Sequence, residues 1–139
     1  MSPTAVAESA VDSQELYFEN GLPGFPEARR FTLTRWGDEE SPFSIMRSVE
    51  EDGLEFVVVP PIVFFPDYAP EVDDSTVGRL DLHTAEDALV LAVVTLGEKP
   101  SDATANLMGP IVVNRHTNRA AQAVLATSGY DLRTPLVGG

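Results

Sequence analysis

Apolar runs along this chain are short, rich in Val, Ile, Phe and Tyr, and each is cut off by Gly, Pro, Asn or Asp. A buried helix needs a stripe of period 3.6 sustained over roughly 10–12 residues, whereas brief runs of β-branched and aromatic residues suit strands joined by turns. No segment carries a long amphipathic helical pattern. Strands are expected over 16–19, 30–36, 43–48, 54–59, 77–82, 88–96, 110–114 and 120–126. Eight short strands within 139 residues make one domain, and they predict an all-β fold: an antiparallel barrel-like or sandwich domain with at most short helical turns. The domain is expected over 14–136. Residues 1–13, MSPTAVAESAVDS, are small and polar and are expected to form a disordered tail.

The turns between these runs have identifiable chemistry. In 21–26, two glycines that accept positive φ flank a proline that fixes φ, so the chain must reverse there and return as the strand at 30–36. The run from Leu54 to Val59 looks buried on both faces, and Pro60 and Pro61 then deny the ladder donors needed to extend it. Residues 119–126 have good helix propensity, but Ile111-Val112-Val113 followed by the loop at 114–118 makes an antiparallel return strand the simpler continuation. Thr84 and Asp87 have the spacing of a capping box, which predicts one helical turn ahead of the strand at 88–96.

Composition narrows the function. Without cysteine there are no disulfides, thiolate zinc sites or cysteine nucleophile, and a reducing, cytoplasmic setting fits. The start carries no basic residue and no sustained apolar stretch, so a secretory signal is not expected, and no apolar run reaches the roughly 20 residues of a membrane helix. Nine basic residues against 22 acidic ones give a net charge of −13, a field that repels phosphate backbones and anionic lipid surfaces. The charge is uneven: residues 1–102 carry −15 and residues 103–139 carry +2. An acidic body with a near-neutral C-terminal segment suits a basic protein partner.

Catalytic and metal-binding arrangements are not apparent. His83 and His116 lack ligand spacing, and Ser44, His83 and Asp81 lack the strained elbow that presents a nucleophilic serine. Acidic clusters at 38–40, 50–52 and 67–74 lack the register of a calcium loop and read as solvated turns; a carboxylate-dependent hydrolase would need two of them to converge. No catalytic residue, cofactor or metal is therefore expected, and a monomer is. The candidates that remain are partner contacts. Phe64, Phe65 and Tyr68 place rings on a loop, where they serve either as anchors or as plugs of the barrel. Asn106 and Leu107 lie in a second loop, ahead of Gly109 and Pro110.

Several stretches, in order, resemble the FliW family of flagellar assembly factors: Phe18 to Phe25, Pro42-Phe43, Leu54 to Pro61, Phe65 to Tyr68, Thr104 to Asn114, then Gln122, Tyr130 and Arg133. The Thr-x-Asn-Leu-x-x-Pro-Ile-Val-Val-Asn string is the most specific. Gly109 departs from the alanine usual there. The resemblance implies a barrel-like β-domain with no enzymatic activity that binds flagellin in the cytoplasm. It also implies binding to CsrA, a basic dimeric RNA-binding repressor for which flagellin competes. A plain structural subunit is the alternative from a different class. Partner contacts expected on this basis are Phe65, Asp67, Tyr68, Glu71, Asp73 and Asp74 in the acidic loop, with Asn106, Leu107, Asn114 and Arg115 in the C-terminal segment. The acidic loop would steer the repressor and disfavour RNA beside it, with Tyr68 as anchor; the weakly charged segment would take apolar faces of flagellin's helical ends.

Overall fold

A computed structural model describes residues 13–125 and 129–136. In chain order it contains β1 (Ser13–Phe18), β2 (Arg30–Arg35), β3 (Ser44–Ser48), β4 (Glu55–Val59), α1 (Asp74–Arg79), β5 (Ala88–Thr95), β6 (Thr104–Ala105), β7 (Ile111–Asn114), β8 (Arg119–Gln122) and β9 (Thr134–Pro135). Single 3-10 turns occupy Pro61–Val63, Ala85–Asp87 and Pro100–Asp102. The expected tail at 1–12 and the end of the predicted strand at Ala126 lie outside the described residues, and Ser13 already belongs to β1.

Alternation builds the sheet. In β2, Phe31 and Leu33 point inward and are buried, and in β1 Leu16 and Phe18 do the same. Phe18 and Phe31 meet edge to face with centroids 5.3 Å apart. They pack with Leu22, Met46, Val58 and Leu91 in the barrel core, where each fully buried large side chain contributes about 1.5–3 kcal/mol relative to exposure. Neighbours run β4-β3-β2-β1-β8-β7-β5, and β5 returns to β4 through Val57↔Val94, Val58↔Val93 and Val59↔Ala92, closing a barrel. Strands β6 and β9 extend the sheet beyond β5.

Two features differ from the sequence expectation. All pairs are antiparallel except β1 with β8, which are parallel at Tyr17↔Arg119 and Phe18↔Ala120. A ring of seven strands cannot alternate direction all the way round, so one parallel pair is unavoidable. The expected strand at 77–82 is instead the end of α1 and its cap. Asp73 is the N-cap, accepting from the Thr76 N–H at 3.3 Å and the Thr76 hydroxyl at 2.6 Å. Asp81 takes φ 56° and the Leu82 N–H donates to the Val77 carbonyl at 3.0 Å, a left-handed stop to the helix. The buried Leu80 then packs outside the barrel with Val112, Ala123 and Leu125. This explains why all four residues of β7 are buried: Ile111 and Val113 face the core and Val112 faces that outer cluster.

Other expectations hold. A return strand is present, paired with β7 at Ile111↔Gln122, Val112↔Ala121 and Val113↔Ala120, but it spans Arg119–Gln122 and ends short of the expected 120–126. The single turn at Ala85–Asp87 is present, and the Asp87 carboxylate accepts from the Thr84 N–H at 2.9 Å and the His83 N–H at 3.0 Å. The reversal at 21–26 is locked by mutual Leu22 and Phe25 backbone hydrogen bonds of 3.2 and 2.8 Å. Gly21 sits at φ 65°, where a Cβ would collide with the Phe25 carbonyl oxygen.

Candidate partner-binding surface

After β4 the Pro60-Pro61 pair ends the ladder, and the chain wraps outside the barrel. The Phe65 N–H donates to the Pro61 carbonyl at 2.7 Å and the Tyr68 N–H to the Phe65 carbonyl at 2.9 Å. This folds Phe65 and Tyr68 onto Ala92, Ala105 and the buried Leu107, beside Tyr130. Tyr68 donates its hydroxyl to the Leu107 carbonyl at 2.6 Å and meets the Tyr130 ring edge to face at 4.7 Å. Burial, aided by Tyr130, pushes the Tyr68 phenol up to about 12. Its polar end is thus committed inside the fold. Phe64 packs against Val59, Val94 and Ala103, and its ring lies 5.8 Å from that of Phe43.

The C-terminal candidates divide by role. The Asn106 carboxamide accepts from the Met108 and Gly109 N–H groups at 3.0 and 2.8 Å, which shapes the turn into β7. Asn114 is only 3% exposed. Its nitrogen donates to the Leu80 and Asp81 carbonyls at 2.7 and 3.3 Å, and its oxygen accepts from His116 and Thr117 at 2.8 and 3.3 Å. One side chain therefore ties the β7–β8 turn to the end of α1. Leu107 and Asn114 offer almost no surface of their own; they support neighbours. Arg115 is exposed, and its N–H donates to the Asp87 carbonyl at 2.8 Å.

Beside Arg115 lies an apolar groove of about 240 Å³ with Pro61, Ile62, Tyr68, Pro70 and Val90 in its walls. Pro70, Ala88 and Val90 also line an adjoining hollow of about 400 Å³ that reaches Val72 and Val77 of the α1 region. Ile62 and Val63 are 63% and 54% exposed, so an apolar ledge stands at the groove. Sequence reading did not single out Ile62 or Val63; their signal is position in a turn forced outward by Pro60-Pro61. Asp67 and Glu71 are exposed and flank Tyr68 and Pro70 in the chain, with Asp73 and Asp74 following at α1. Hydrogen bonding to the Thr76 side chain, partly opposed by desolvation, holds the Asp73 carboxyl below its ordinary range.

The other titratable groups are dispersed. The acids at 38–40 and 50–52 sit on exposed turns at opposite ends of β3. His116 contacts Asp87 at 3.0 Å and His83 contacts Asp81 at 3.2 Å, both exposed at the histidine. Hydrogen bonds from Thr84, then His83, then His116 hold the Asp87 carboxyl down at about 2. Among the described residues no group of three His, Cys, Asp or Glu is placed to hold a metal ion. Among the same residues no helix is long and apolar enough to cross a membrane.

Comparison with known proteins agrees with this architecture. The chain is 42% identical over 127 residues to the flagellar assembly factor FliW of Bacillus licheniformis, covering 91% of this chain and 88% of that protein. It is 39% identical over 127 residues to the protein of that name from Bacillus subtilis, with the same coverage. A crystal structure of a flagellar assembly factor FliW superposes with a TM-score of 0.83 at 34% identity, covering 90% of this chain and 86% of that one. The FliW protein family matches residues 2–136, and with the closed barrel, its outer wrap and these relatives in agreement, the chain belongs to the FliW family.

Proposed function

We propose that this protein acts in flagellar assembly as a non-catalytic, cytoplasmic binding protein that takes flagellin and a CsrA-type RNA-binding repressor as partners, antagonising the repressor when flagellin is absent. The observation that carries the reading is the apolar groove walled by Ile62, Pro70 and Val90, with the exposed Val63 next to Ile62 in the chain. An apolar helix face gains from burying such a surface. Flagellin's helical ends supply that face, and Arg115 at the groove adds a cation toward a partner's acidic side chains.

The repressor is drawn by charge. A protein of net charge −13 attracts a basic RNA-binding surface at long range, and once docked its field opposes phosphates nearby. Asp67, Glu71, Asp73 and Asp74 contribute to that field. Asp73 also caps α1, so removing its charge would disturb the helix; Asp67, Glu71 and Asp74 are the cleaner set to neutralise. Phe65 and Tyr68 shape this surface from behind, as do Asn106, Leu107 and Asn114.

Calorimetric titration of flagellin and the repressor from the same host separates the two surfaces. Ile62→Glu is expected to weaken flagellin binding at least about tenfold, the scale of a lost central apolar anchor. In stopped-flow kinetics across a salt series, the triple neutral variant is expected to slow repressor association and flatten its salt dependence. Unchanged flagellin affinity in a folded Ile62→Glu protein would show that the groove does not receive flagellin.

A further inference from the structure

A second cleft lies away from the apolar groove, between the loop at 19–26, the end of α1 and strand β8, with a volume of about 390 Å³. Although the chain has nine basic residues against 22 acidic ones, two of its arginines, Arg79 and Arg119, line this cleft. Leu22, Pro23 and Ala120 give it an apolar side. Its walls are fixed: Gly21 is locked by the Leu22 and Phe25 backbone bonds, and the Gln122 carboxamide donates to the Gly109 carbonyl at 2.9 Å. Fixed walls lower the ordering cost of a ligand.

The sheet edge here is incomplete. Strand β1 pairs with β8 at Tyr17↔Arg119 and Phe18↔Ala120 and ends there, while β8 continues through Ala121 and Gln122, and among the described residues no other strand takes the place of β1 beyond that point. An extended segment laid along Ala121 and Gln122 would run into the end of β1 and have to stop. At that blocked end stands Arg119. A chain terminus that stops beside a guanidinium is favoured if it is negative, which selects a C-terminus over an N-terminus. A carboxylate already occupies part of this position, since Glu19 contacts Arg119 at 3.4 Å with the two side chains 53% and 44% exposed. An exposed, monodentate pair of this kind is weak and exchanges readily for an incoming carboxylate.

We propose that this cleft binds the C-terminal carboxylate of a peptide ending in an apolar residue, with the last residues added as a short strand beside Ala121 and Gln122 and the carboxylate held by Arg119 and Arg79. The proposal goes beyond flagellin and repressor binding at the apolar groove and does not depend on it. Glu19 acts as an internal competitor for the same cations.

The test uses acetyl-Ala-Leu-Leu as the free acid, its C-terminal amide, and acetyl-Ala-Leu-Asp-amide, titrated into the full-length protein while the amide resonances of Gly21, Ala121 and Gln122 are followed. The free acid should give saturable shifts at these residues and bind at least about tenfold tighter than either amide. Glu19→Gln should tighten the free acid about three- to fivefold, a gain that misfolding cannot mimic, and Arg119→Gln should weaken it comparably or more. No saturable shift with the free acid would overturn the proposal. So would equal binding of the simple amide, or an affinity that Glu19→Gln leaves unchanged or lowers. Equal binding of the aspartyl amide would overturn the assignment to a chain terminus.

Discussion

Replacing Asn114 with alanine should cost more than any surface change in the C-terminal segment. The side chain makes two short hydrogen bonds, 2.7 Å to the Leu80 carbonyl and 2.8 Å from the His116 N–H, and two longer ones of 3.3 Å. At 3% exposure water has no ready access to the space it leaves. The His116 amide lies on an exposed turn and can rehydrate, so its loss is the ordinary net value of about 1 kcal/mol. The Leu80 carbonyl belongs to a residue only 4% exposed, and leaving it unpaired costs about 1–3 kcal/mol. The sum is about 2–4 kcal/mol, equivalent to a fall in Tm of roughly 6–20 °C for a domain of this size. Urea unfolding followed by far-UV circular dichroism and by the single tryptophan, Trp36, which packs edge to face on Phe43 at 6.2 Å, measures it. Asn114→Asp keeps the acceptor for His116 but turns a carboxylate toward two carbonyls, so it should be worse at pH 8 than at pH 4, where protonation restores a donor. A loss below about 0.5 kcal/mol for the alanine variant, the range of ordinary surface substitutions, would refute the role assigned to Asn114 as the tie between α1 and the β7–β8 turn.

Tyr68→Phe, which removes only the donor to Leu107, should cost about 1 kcal/mol by the same urea assay. Ultraviolet titration should lose one tyrosine step near pH 12 in that variant. Asp87 is held at about 2 in the folded chain against 3.8 ordinarily, so its contribution to stability is complete above the ordinary value and is lost as pH falls toward 2. Asp87→Asn should therefore flatten the acid limb of a stability profile measured from pH 5 to pH 2. Gly21→Ala should destabilise by more than about 1 kcal/mol, because both φ 65° and the Phe25 carbonyl oppose a side chain.

Much of the barrel was legible because its residues alternate. Phe31 and Leu33 inward against Thr32 and Thr34 is a pattern only a strand satisfies, and Ile111-Val112-Val113 before a polar loop fixed the return at 119–122 despite its helical propensity. Helix α1 was missed because Leu80-Asp81-Leu82 imitates alternation. The contrary signal was present in Asp73 three residues before Thr76 and in the three-residue spacing of Val77 and Leu80. Strands β6 and β9 have two residues each and no local signature, being strands only because β5 offers an edge to β6 and β6 in turn offers one to β9. At the candidate surface the Asn106 to Asn114 string stood out, yet its residues mostly hold the fold, since an asparagine that caps a turn looks the same in sequence as one that meets a partner. The exposure of Ile62 was not legible. An isoleucine within Pro-Pro-Ile-Val-Phe-Phe looks like core until the chain's path leaves nothing above it.

The apolar ledge at Ile62 is the surface proposed to receive flagellin. Its most direct test is the flagellin affinity of the full-length protein and of Ile62→Glu, measured by calorimetry after circular dichroism and urea unfolding have shown the two equally folded. The expected loss is at least about tenfold for flagellin, with repressor binding by the same variant far less affected. Equal flagellin affinity in the two proteins would contradict it.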